Sequence, residues 1–274
     1  MEKFTTSTEE HYHRSNLFEE IINRLEKLDI DMTNVKREDI AGVDEFHVRG
    51  AQVSKELAKS IDIKNTTVLD VGCGLGGPAR MLADEYGCQV TGIDLSQEFI
   101  RTATNLSELV GLSSKTKFVY GNATELPFED KSFDVVWTQH VQMNVEDKEK
   151  FYSEINRVLS DKGIFLYYDI FKNGKEEVTY PMPWASEPKI SFLVPPIEME
   201  SILSDLNFKT IQSIDQTNKG IFFFEKFMER INQFGAPKLG LNVLMGASTK
   251  TKISNLLNGL KEGNLILQSG VFIK

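Results

Sequence analysis

Val68-Leu69-Asp70-Val71-Gly72-Cys73-Gly74-Leu75-Gly76-Gly77-Pro78 is the most informative stretch of this 274-residue chain. Its opening apolar run is typical of a buried parallel strand. Glycines then follow in the order G-x-G-x-x-G, at Gly72, Gly74 and Gly77. A glycine loop between a strand and a helix lets the backbone approach a ligand closely. The stretch therefore predicts a strand, a ligand-binding loop and a helix.

The rest of the chain continues this alternation of strand and helix. Short apolar runs predict the strands, and apolar residues at helical spacing predict the helices between them. The predicted strands are 68–71, 89–93, 117–120, 133–137, 163–169, 208–214 and 264–273, and the predicted helices are 78–86, 96–110, 147–159, 196–206 and 219–233. Because such an alternation forms right-handed crossovers, we predict an α/β, Rossmann-like, doubly wound parallel sheet with helices on both faces.

Two segments lie outside this alternation. Residues 1–60 have helical spacing over about 8–29 and again over 50–60, which predicts an N-terminal helical extension or flap. Residues 171–194 are interrupted by prolines and carry aromatic side chains, a composition typical of a lid insertion after the fifth strand. The predicted division is therefore an extension followed by one domain over 61–274.

Two carboxylates beside the glycine loop indicate the kind of ligand. Asp94 follows Gly74 by 20 residues at the end of the next strand, where an acidic side chain binds ribose hydroxyls. Asp70 ends the first strand, facing the loop. A carboxylate there would repel the pyrophosphate of NAD, which otherwise favours a helix N-terminus. S-adenosylmethionine instead offers a cationic ammonium and sulfonium, so Asp70 favours it over NAD. Asp70 could also simply cap backbone N–H groups.

Charge and composition restrict the partners. The chain has 31 basic and 40 acidic side chains, a net charge of −9, whereas nucleic-acid binders carry surplus Lys and Arg. No apolar run approaches the roughly 20 residues of a membrane span, and the first residues lack a signal peptide. The two cysteines and four histidines have no metal-ligand spacing. We therefore expect a cytoplasmic protein with a small-molecule partner, no nucleic acid and no metal.

Several stretches together resemble a known family. They are 70–77 (DVGCGLGG), 92–96 (GIDLS), 121–128 (GNATELPF) and 133–137 (FDVVW), and their order and spacing over about 66–170 resemble class I S-adenosylmethionine-dependent methyltransferases. Within this superfamily the chain is similar to the branch that holds the sarcosine/dimethylglycine and ubiquinone/menaquinone methyltransferases. Residues 44–50 (DEFHVRG) and 138–144 (TQHVQMN) resemble the first of these. The resemblance implies seven strands, the last antiparallel, S-adenosylmethionine as cofactor and, for some relatives, a homodimer.

The resemblance also implies roles in binding the cofactor. Gly72, Gly74 and Gly76 are expected to line its methionine end, with Asp70 near the ammonium. Asp94 would bind the ribose, and Leu95 would lie against adenine. Asn122 and Ala123 stand where the family commonly has Asp-Ala, and the Asn122 carbonyl could accept a hydrogen bond from the adenine amino group. Gln139 follows the fourth strand, beside the methionine portion.

Other residues are candidates for the acceptor side. His140 lies just past a strand end and is the candidate catalytic base, because histidine titrates near neutral pH; a structural place in the cofactor shell is the alternative. His47 is a candidate for contact with the substrate. Arg49 could pair with a carboxylate, either that of the cofactor or that of an acidic substrate. The remaining candidates are Tyr12 in the N-terminal flap and Trp184 and Phe192 in the lid.

The predicted function is methyl transfer to an N, O or C atom of a small molecule. Because such a cofactor carries its own leaving group, the protein mainly supplies alignment and desolvation. Two alternatives stay open: an NAD-dependent oxidoreductase, which Asp70 disfavours, and a non-catalytic nucleoside-binding module.

Overall fold

A computed structural model describes residues 16–174 and 176–274 of the chain. Seven strands form one sheet in the order β3-β2-β1-β4-β5-β7-β6. The strands are β1 (Thr67–Val71), β2 (Gln89–Asp94), β3 (Thr116–Tyr120), β4 (Phe133–Gln139), β5 (Leu159–Lys172), β6 (Lys209–Asp215) and β7 (Leu265–Ile273). The last strand, β7, runs antiparallel to both β5 and β6, while β1 to β5 pair in parallel. The predicted seven-stranded class I topology is confirmed.

The apolar run of β1 is explained by burial on both sides. Val68 and Leu69 are fully buried, yet they belong to two separate core clusters. Successive side chains of a strand point to opposite faces, so each strand of a covered parallel sheet needs apolar residues at every position. The helices that cover the sheet are α4 (Gly77–Tyr86), α5 (Gln97–Leu109), α6 (Lys148–Val158) and α7 (Pro196–Asp205).

Three further helices precede the sheet: α1 (Leu17–Glu26), α2 (Arg37–Asp44) and α3 (Ala51–Ala58). The sequence reading found no helix between α1 and α3, because α2 is short and includes only a few apolar residues. The residues of the predicted first helix before Asn16 lie outside the described part of the chain. One face of α1 is fully buried and belongs to a third core cluster. The N-terminal segment therefore packs firmly on the domain.

The connection between β6 and β7 is larger than predicted. It contains α8 (Thr217–Phe234), α9 (Asn242–Met245) and α10 (Thr249–Lys261). Leu239 and Val243 from this connection enter the same cluster as α1 and α2, and Gly42 approaches the Leu239 carbonyl so closely that a methyl group would not fit. The N-terminal helices thus pack against a segment more than 190 residues later in the chain.

The described residues of the predicted lid segment, 171–174 and 176–194, are irregular apart from the end of β5, an isolated bridge between Met182 and Ala185, and a short turn at Pro188–Ile190. Its residues Met182 and Trp184 are buried in the core. None of the described helices combines the length and the apolar character that crossing a bilayer requires.

Candidate active site

A cavity opens at the carboxyl ends of β1, β2 and β4, where open α/β sheets bind ligands. Most of the predicted site residues lie on its wall. They are His47, Asp70, Gly72, Gly74, Asp94, Leu95, Asn122, Ala123, Gln139, His140 and Phe192. Residues from six separate stretches of sequence therefore converge on one site.

The glycine loop has a conformation that favours glycine. The N–H groups of Gly72 and Cys73 both donate to the Ile93 carbonyl, at 2.8 and 3.1 Å, which fixes the loop on β2. Gly72 and Gly74 have φ angles of 71° and 53°, in the left-handed region that side chains disfavour. Apart from its chain neighbours, no atom of the described residues lies within 4 Å of where a Gly74 Cβ would stand. The loop therefore offers an open backbone surface to a ligand in the cavity.

Gly74→Ala is expected to block the ligand more than it disturbs the fold. The added methyl group would occupy the open space of the cavity, and the left-handed backbone costs about 1–2 kcal/mol. Gly111→Ala is the matched control, because Gly111 has a φ of 72° and an equally open Cβ position but lies outside the cavity wall. The midpoint temperature of thermal unfolding should fall by a similar amount in both variants. Calorimetric titration with S-adenosylmethionine should show weaker binding in Gly74→Ala alone; equal binding in both would contradict this role.

Asp70 presents an unsatisfied carboxylate oxygen to the cavity. The residue is 2% exposed, and its Oδ2 has no hydrogen-bond partner within the described chain. Burial raises the pKa of Asp70 to about 8, and the nearby Glu45 and Asp94 carboxylates add to this. An unpaired buried carboxyl is costly. The site therefore favours a cationic group that would pair with Asp70.

The Asp94 carboxylate accepts backbone N–H groups from the glycine loop and from the residues that follow β2. Its Oδ2 accepts the Gly74 N–H at 2.9 Å, and its Oδ1 accepts the Ser96 N–H at 2.9 Å. Burial raises the pKa of Asp94, although these backbone hydrogen bonds oppose the shift. A carboxylate has about four acceptor positions, so Asp94 retains capacity for the hydroxyl groups of a ligand.

The Asn122 carbonyl, expected to accept a hydrogen bond from adenine, already has partners within the chain. Its Oδ1 accepts both the N–H and the hydroxyl of Thr124, at 2.9 and 3.0 Å. These two bonds fill both lone pairs of the oxygen. A hydrogen bond from an adenine amino group would therefore have to displace one of them, whereas the Asn122 amide N–H groups remain as donors.

Gln139 and His140 occupy the end of β4. The Gln139 Oε1 accepts from Trp137 Nε1 at 2.8 Å and from Ser54 Oγ at 3.2 Å, while its buried Nε2 has no partner among described residues. His140 has a φ of 56° and stacks on Tyr168 with ring centroids 5.2 Å apart. Burial, aided by nearby His47, lowers the pKa of His140 well below its usual value. His140 is therefore held as a neutral ring.

Four predicted site residues are not on the described wall. Gly76 is the N-cap of α4, and a Cβ there would lie 2.5 Å from Phe118, so packing explains this glycine. Arg49 is buried and pairs with Glu56 at 2.5 Å. Trp184 is buried in the core and donates to Ser191 at 2.8 Å. Tyr12 lies outside the described residues.

The sequence reading missed how the loop after β4 is fixed. The Asp169 carboxylate accepts the N–H groups of Val141 and Gln142, both at 3.2 Å. The Lys148 ammonium donates to the carbonyls of Gln142 and Val145. Burial raises the pKa of Asp169 to about 7 and lowers that of Lys148 to about 8. This buried pair positions the loop that follows His140, and no local pattern signals it.

A buried arginine was also missed, although the sequence contains a signal for it. Arg80 is 0% exposed and donates to Asp44, to the Leu75 carbonyl and, at 3.1 Å, to the Ala103 carbonyl. Asp44 lies on the cavity wall. A single charged residue within the apolar run of α4 indicates such a buried partner. Arg80 therefore joins the glycine loop, α5 and the N-terminal helices.

Comparison with known proteins places this site in a family context. Residues 69–167 match the family model described as a methyltransferase domain. A sterol 24-C-methyltransferase of Gibberella zeae is 44% identical over 127 residues, which are 44% of this chain and 33% of that protein. A glycine/sarcosine/dimethylglycine N-methyltransferase of Actinopolyspora halophila is 34% identical over 141 residues, which are 51% of this chain and 24% of that protein. The chain thus matches only about a third or less of these two relatives' length.

Solved structures share the fold at lower identity. Phosphoethanolamine N-methyltransferase 2 of Haemonchus contortus, in complex with S-adenosylmethionine, superposes with a TM-score of 0.72 and 22% identity over 86% of this chain and 55% of that one. Geranyl diphosphate C-methyltransferase of Streptomyces coelicolor superposes with a TM-score of 0.66 and 16% identity, over 81% of this chain and 80% of that one. Residues 69–167 therefore match a methyltransferase domain model, within a chain that shares the fold of class I methyltransferases.

Proposed function

We propose that this protein transfers a methyl group from S-adenosylmethionine to a small-molecule acceptor. The observation that carries the proposal is the unpartnered Asp70 carboxylate oxygen, buried at the head of an open glycine loop. An ammonium group beside it would satisfy that oxygen and keep Asp70 ionised. The methyltransferase domain match over 69–167 supports the same assignment.

The residues of the site have separate tasks in this proposal. The bound cofactor supplies an electrophilic methyl group on a positively charged sulfur. Asp70 would orient the ammonium, Asp94 the ribose, and the left-handed Gly72 and Gly74 would allow close approach of the backbone. The walls exclude water, which strengthens each electrostatic contact. Catalysis would then rest mainly on positioning.

Titration with S-adenosylmethionine, S-adenosylhomocysteine and NAD, measured in parallel by calorimetry, tests the proposal. We expect micromolar binding of both adenosyl compounds. NAD should not bind, because its pyrophosphate would face the Asp70 carboxylate. Binding of NAD alone would support the oxidoreductase alternative, which no comparison favours. Binding of the adenosyl compounds without methyl transfer to any acceptor would support the non-catalytic module.

Asp94→Ala should weaken S-adenosylmethionine binding by about 1–3 kcal/mol, because ribose hydroxyls would lose their partner. Calorimetric titration measures this loss. Asp134→Ala is the control, since Asp134 also accepts a backbone N–H, from Thr67 at 2.9 Å, but lies at the opposite end of β4. Unchanged affinity in Asp94→Ala would remove Asp94 from the binding site.

The charge of the cavity favours an acceptor without an anionic group. The charged side chains on its described wall are all acidic: Asp44, Asp70, Asp94, Glu146 and Asp147. Arg49, the expected partner of a substrate carboxylate, is paired with Glu56 instead. Like charges brought together cost several kcal/mol. We therefore infer that amines and neutral phenols are preferred to amino acids and phosphate esters.

An acceptor panel tests this preference with matched pairs, tyramine against tyrosine and hydroquinone against its monophosphate. The member without the anionic group should react at least about tenfold faster, since each 1.4 kcal/mol corresponds to a factor of ten. Faster methylation of tyrosine or of the phosphate would contradict the inference. Cytoplasmic location, homodimer formation and the flap and lid roles of 1–60 and 171–194 stay predictions.

A further inference from the structure

We infer that the His47 imidazole, held by the Glu45 carboxylate, accepts the proton that the methyl acceptor releases. This inference rests on the proposed methyl transfer and identifies the general base of that reaction. The sequence pointed instead to His140. Both rings lie on the cavity wall, with centroids 6.1 Å apart. The groups around each ring determine which of the two histidines can accept the proton.

The Nε2 atom of His47 has three oxygen neighbours, each at 3.1 Å. They are the Gly50 carbonyl, the Ser54 hydroxyl and the Glu45 carboxylate. A carbonyl and an ionised carboxylate can only accept hydrogen bonds. Nε2 must therefore carry the proton.

This arrangement fixes the tautomer of the neutral ring. When Nε2 carries the proton of a neutral imidazole, Nδ1 has a lone pair. Nδ1 is thus the basic atom of a ring that lies on the cavity wall. A second group that fixes a histidine tautomer and orientation in this way is a common feature of active sites.

Glu45 is suited to stabilise the protonated ring. It is 8% exposed, and burial alone would raise its pKa. The hydrogen bonds from His47 and from the Ser54 hydroxyl, the latter at 2.8 Å, nevertheless lower the pKa of Glu45. Glu45 is therefore a buried carboxylate in its ionised form. It acts as a positioning residue through His47.

His140 lacks such support. Its Nε2 is buried without a hydrogen-bond partner among described residues. Its ring stacks on Tyr168, and no carboxylate contributes to its pKa, which burial and nearby His47 lower. A proton placed on His140 would be a buried charge without a counter-ion. His140 instead forms an uncharged aromatic wall.

The proton balance of the step is complete with these groups. The acceptor X–H bond breaks, and its proton moves to His47 Nδ1. The electron pair of X forms the new bond to the methyl carbon, while the bond from that carbon to sulfur breaks and leaves its pair on sulfur. The products are the methylated acceptor, S-adenosylhomocysteine and an imidazolium ion paired with Glu45.

Nuclear magnetic resonance of the unaltered chain, labelled in its histidine rings, tests the tautomer directly. The chain has four histidines, and the His47→Asn and His140→Asn variants assign the signals. We expect the Nε2–H tautomer for His47, both free and with S-adenosylhomocysteine bound. An Nδ1–H tautomer would overturn the inference. Failure of S-adenosylhomocysteine to bind would instead overturn the proposed function.

Single-turnover rates compare the two histidines, using the most reactive acceptor of the panel. His47→Asn should slow methyl transfer by about 10²–10⁴-fold, the usual contribution of a general base. His140→Asn should slow transfer less than His47→Asn does. Glu45→Gln should slow transfer by more than it changes the affinity for S-adenosylhomocysteine, a difference that a merely structural role would not predict. A larger loss in His140→Asn than in His47→Asn would return the role to His140.

Discussion

Asp70→Asn is expected to change ligand affinity and stability in opposite directions. Loss of the carboxylate should weaken S-adenosylmethionine binding by about 1.5–3 kcal/mol, the contribution of a hydrogen bond to a charged group. The same change should stabilise the ligand-free protein by about 1–3 kcal/mol at pH 9, because it removes a buried charge without a partner. Calorimetric titration and urea unfolding measure the two effects.

The pH dependence of Asp70 has a definite sign. The folded, ligand-free protein holds the Asp70 proton up to about pH 8, whereas the ordinary value is 3.8. The folded state therefore binds more protons than the unfolded state between these values, and this group's contribution to stability falls as the pH rises through them. Binding of a cation to Asp70 should strengthen as the pH rises towards 8. Both trends should be absent in Asp70→Asn.

Asp161→Asn is the matched control for this prediction. Asp161 has an exposed side chain and pairs with Lys131 at 2.8 Å. Such surface pairs contribute about 0–1 kcal/mol, so neither stability nor affinity should change much. Equal affinity of Asp70→Asn and the unaltered chain for S-adenosylmethionine would contradict the assignment of Asp70 to the ammonium.

Arg80→Met should destabilise the protein by about 3–5 kcal/mol, the largest loss of stability that we predict. The substitution leaves Asp44 buried without its partner, which is the costly way to break a buried ion pair. It also removes the donors to the Leu75 and Ala103 carbonyls. Urea unfolding measures the change in free energy.

Two variants control this measurement. Arg101→Met removes an arginine of α5 that is 44% exposed and should cost less than about 1 kcal/mol. The double variant Asp44→Leu with Arg80→Met should recover part of the loss, because it replaces both charges by apolar groups. A double variant that is no more stable than Arg80→Met would show that the backbone carbonyl contacts, and not the ion pair, dominate.

Much of the cofactor side could be read from sequence because its signals are local. A strand buried on both faces needs mainly apolar residues, and in 68–71 Asp70 is the one exception. A backbone that turns through the left-handed region needs glycine, as at Gly74. The carboxylates Asp70 and Asp94 follow at strand ends, and the parallel sheet brings such ends to one edge. The structure places Gly74, Asp70 and Asp94 on the cavity wall.

The acceptor side could not be read in the same way. Arg49 was a reasonable partner for a substrate carboxylate, but its side chain pairs with Glu56 on α3. Trp184 had the composition of a lid aromatic, but it packs in the core while Phe192 reaches the cavity. Local composition shows that a segment is apolar. It does not show which of its side chains faces the site.

The sequence by itself determined the order of the seven strands, the parallel pairing of the first five and a candidate ligand site at the glycine loop. These follow from periodicity and backbone restriction, which act over a few neighbouring residues. Only the tertiary structure decided which distant polar groups meet. Ser54 bonds Gln139, 85 positions away, and Arg80 bonds Asp44 on another helix. Such pairs form because a buried polar group must find a partner wherever the fold brings one, and that partner has no fixed spacing in the sequence.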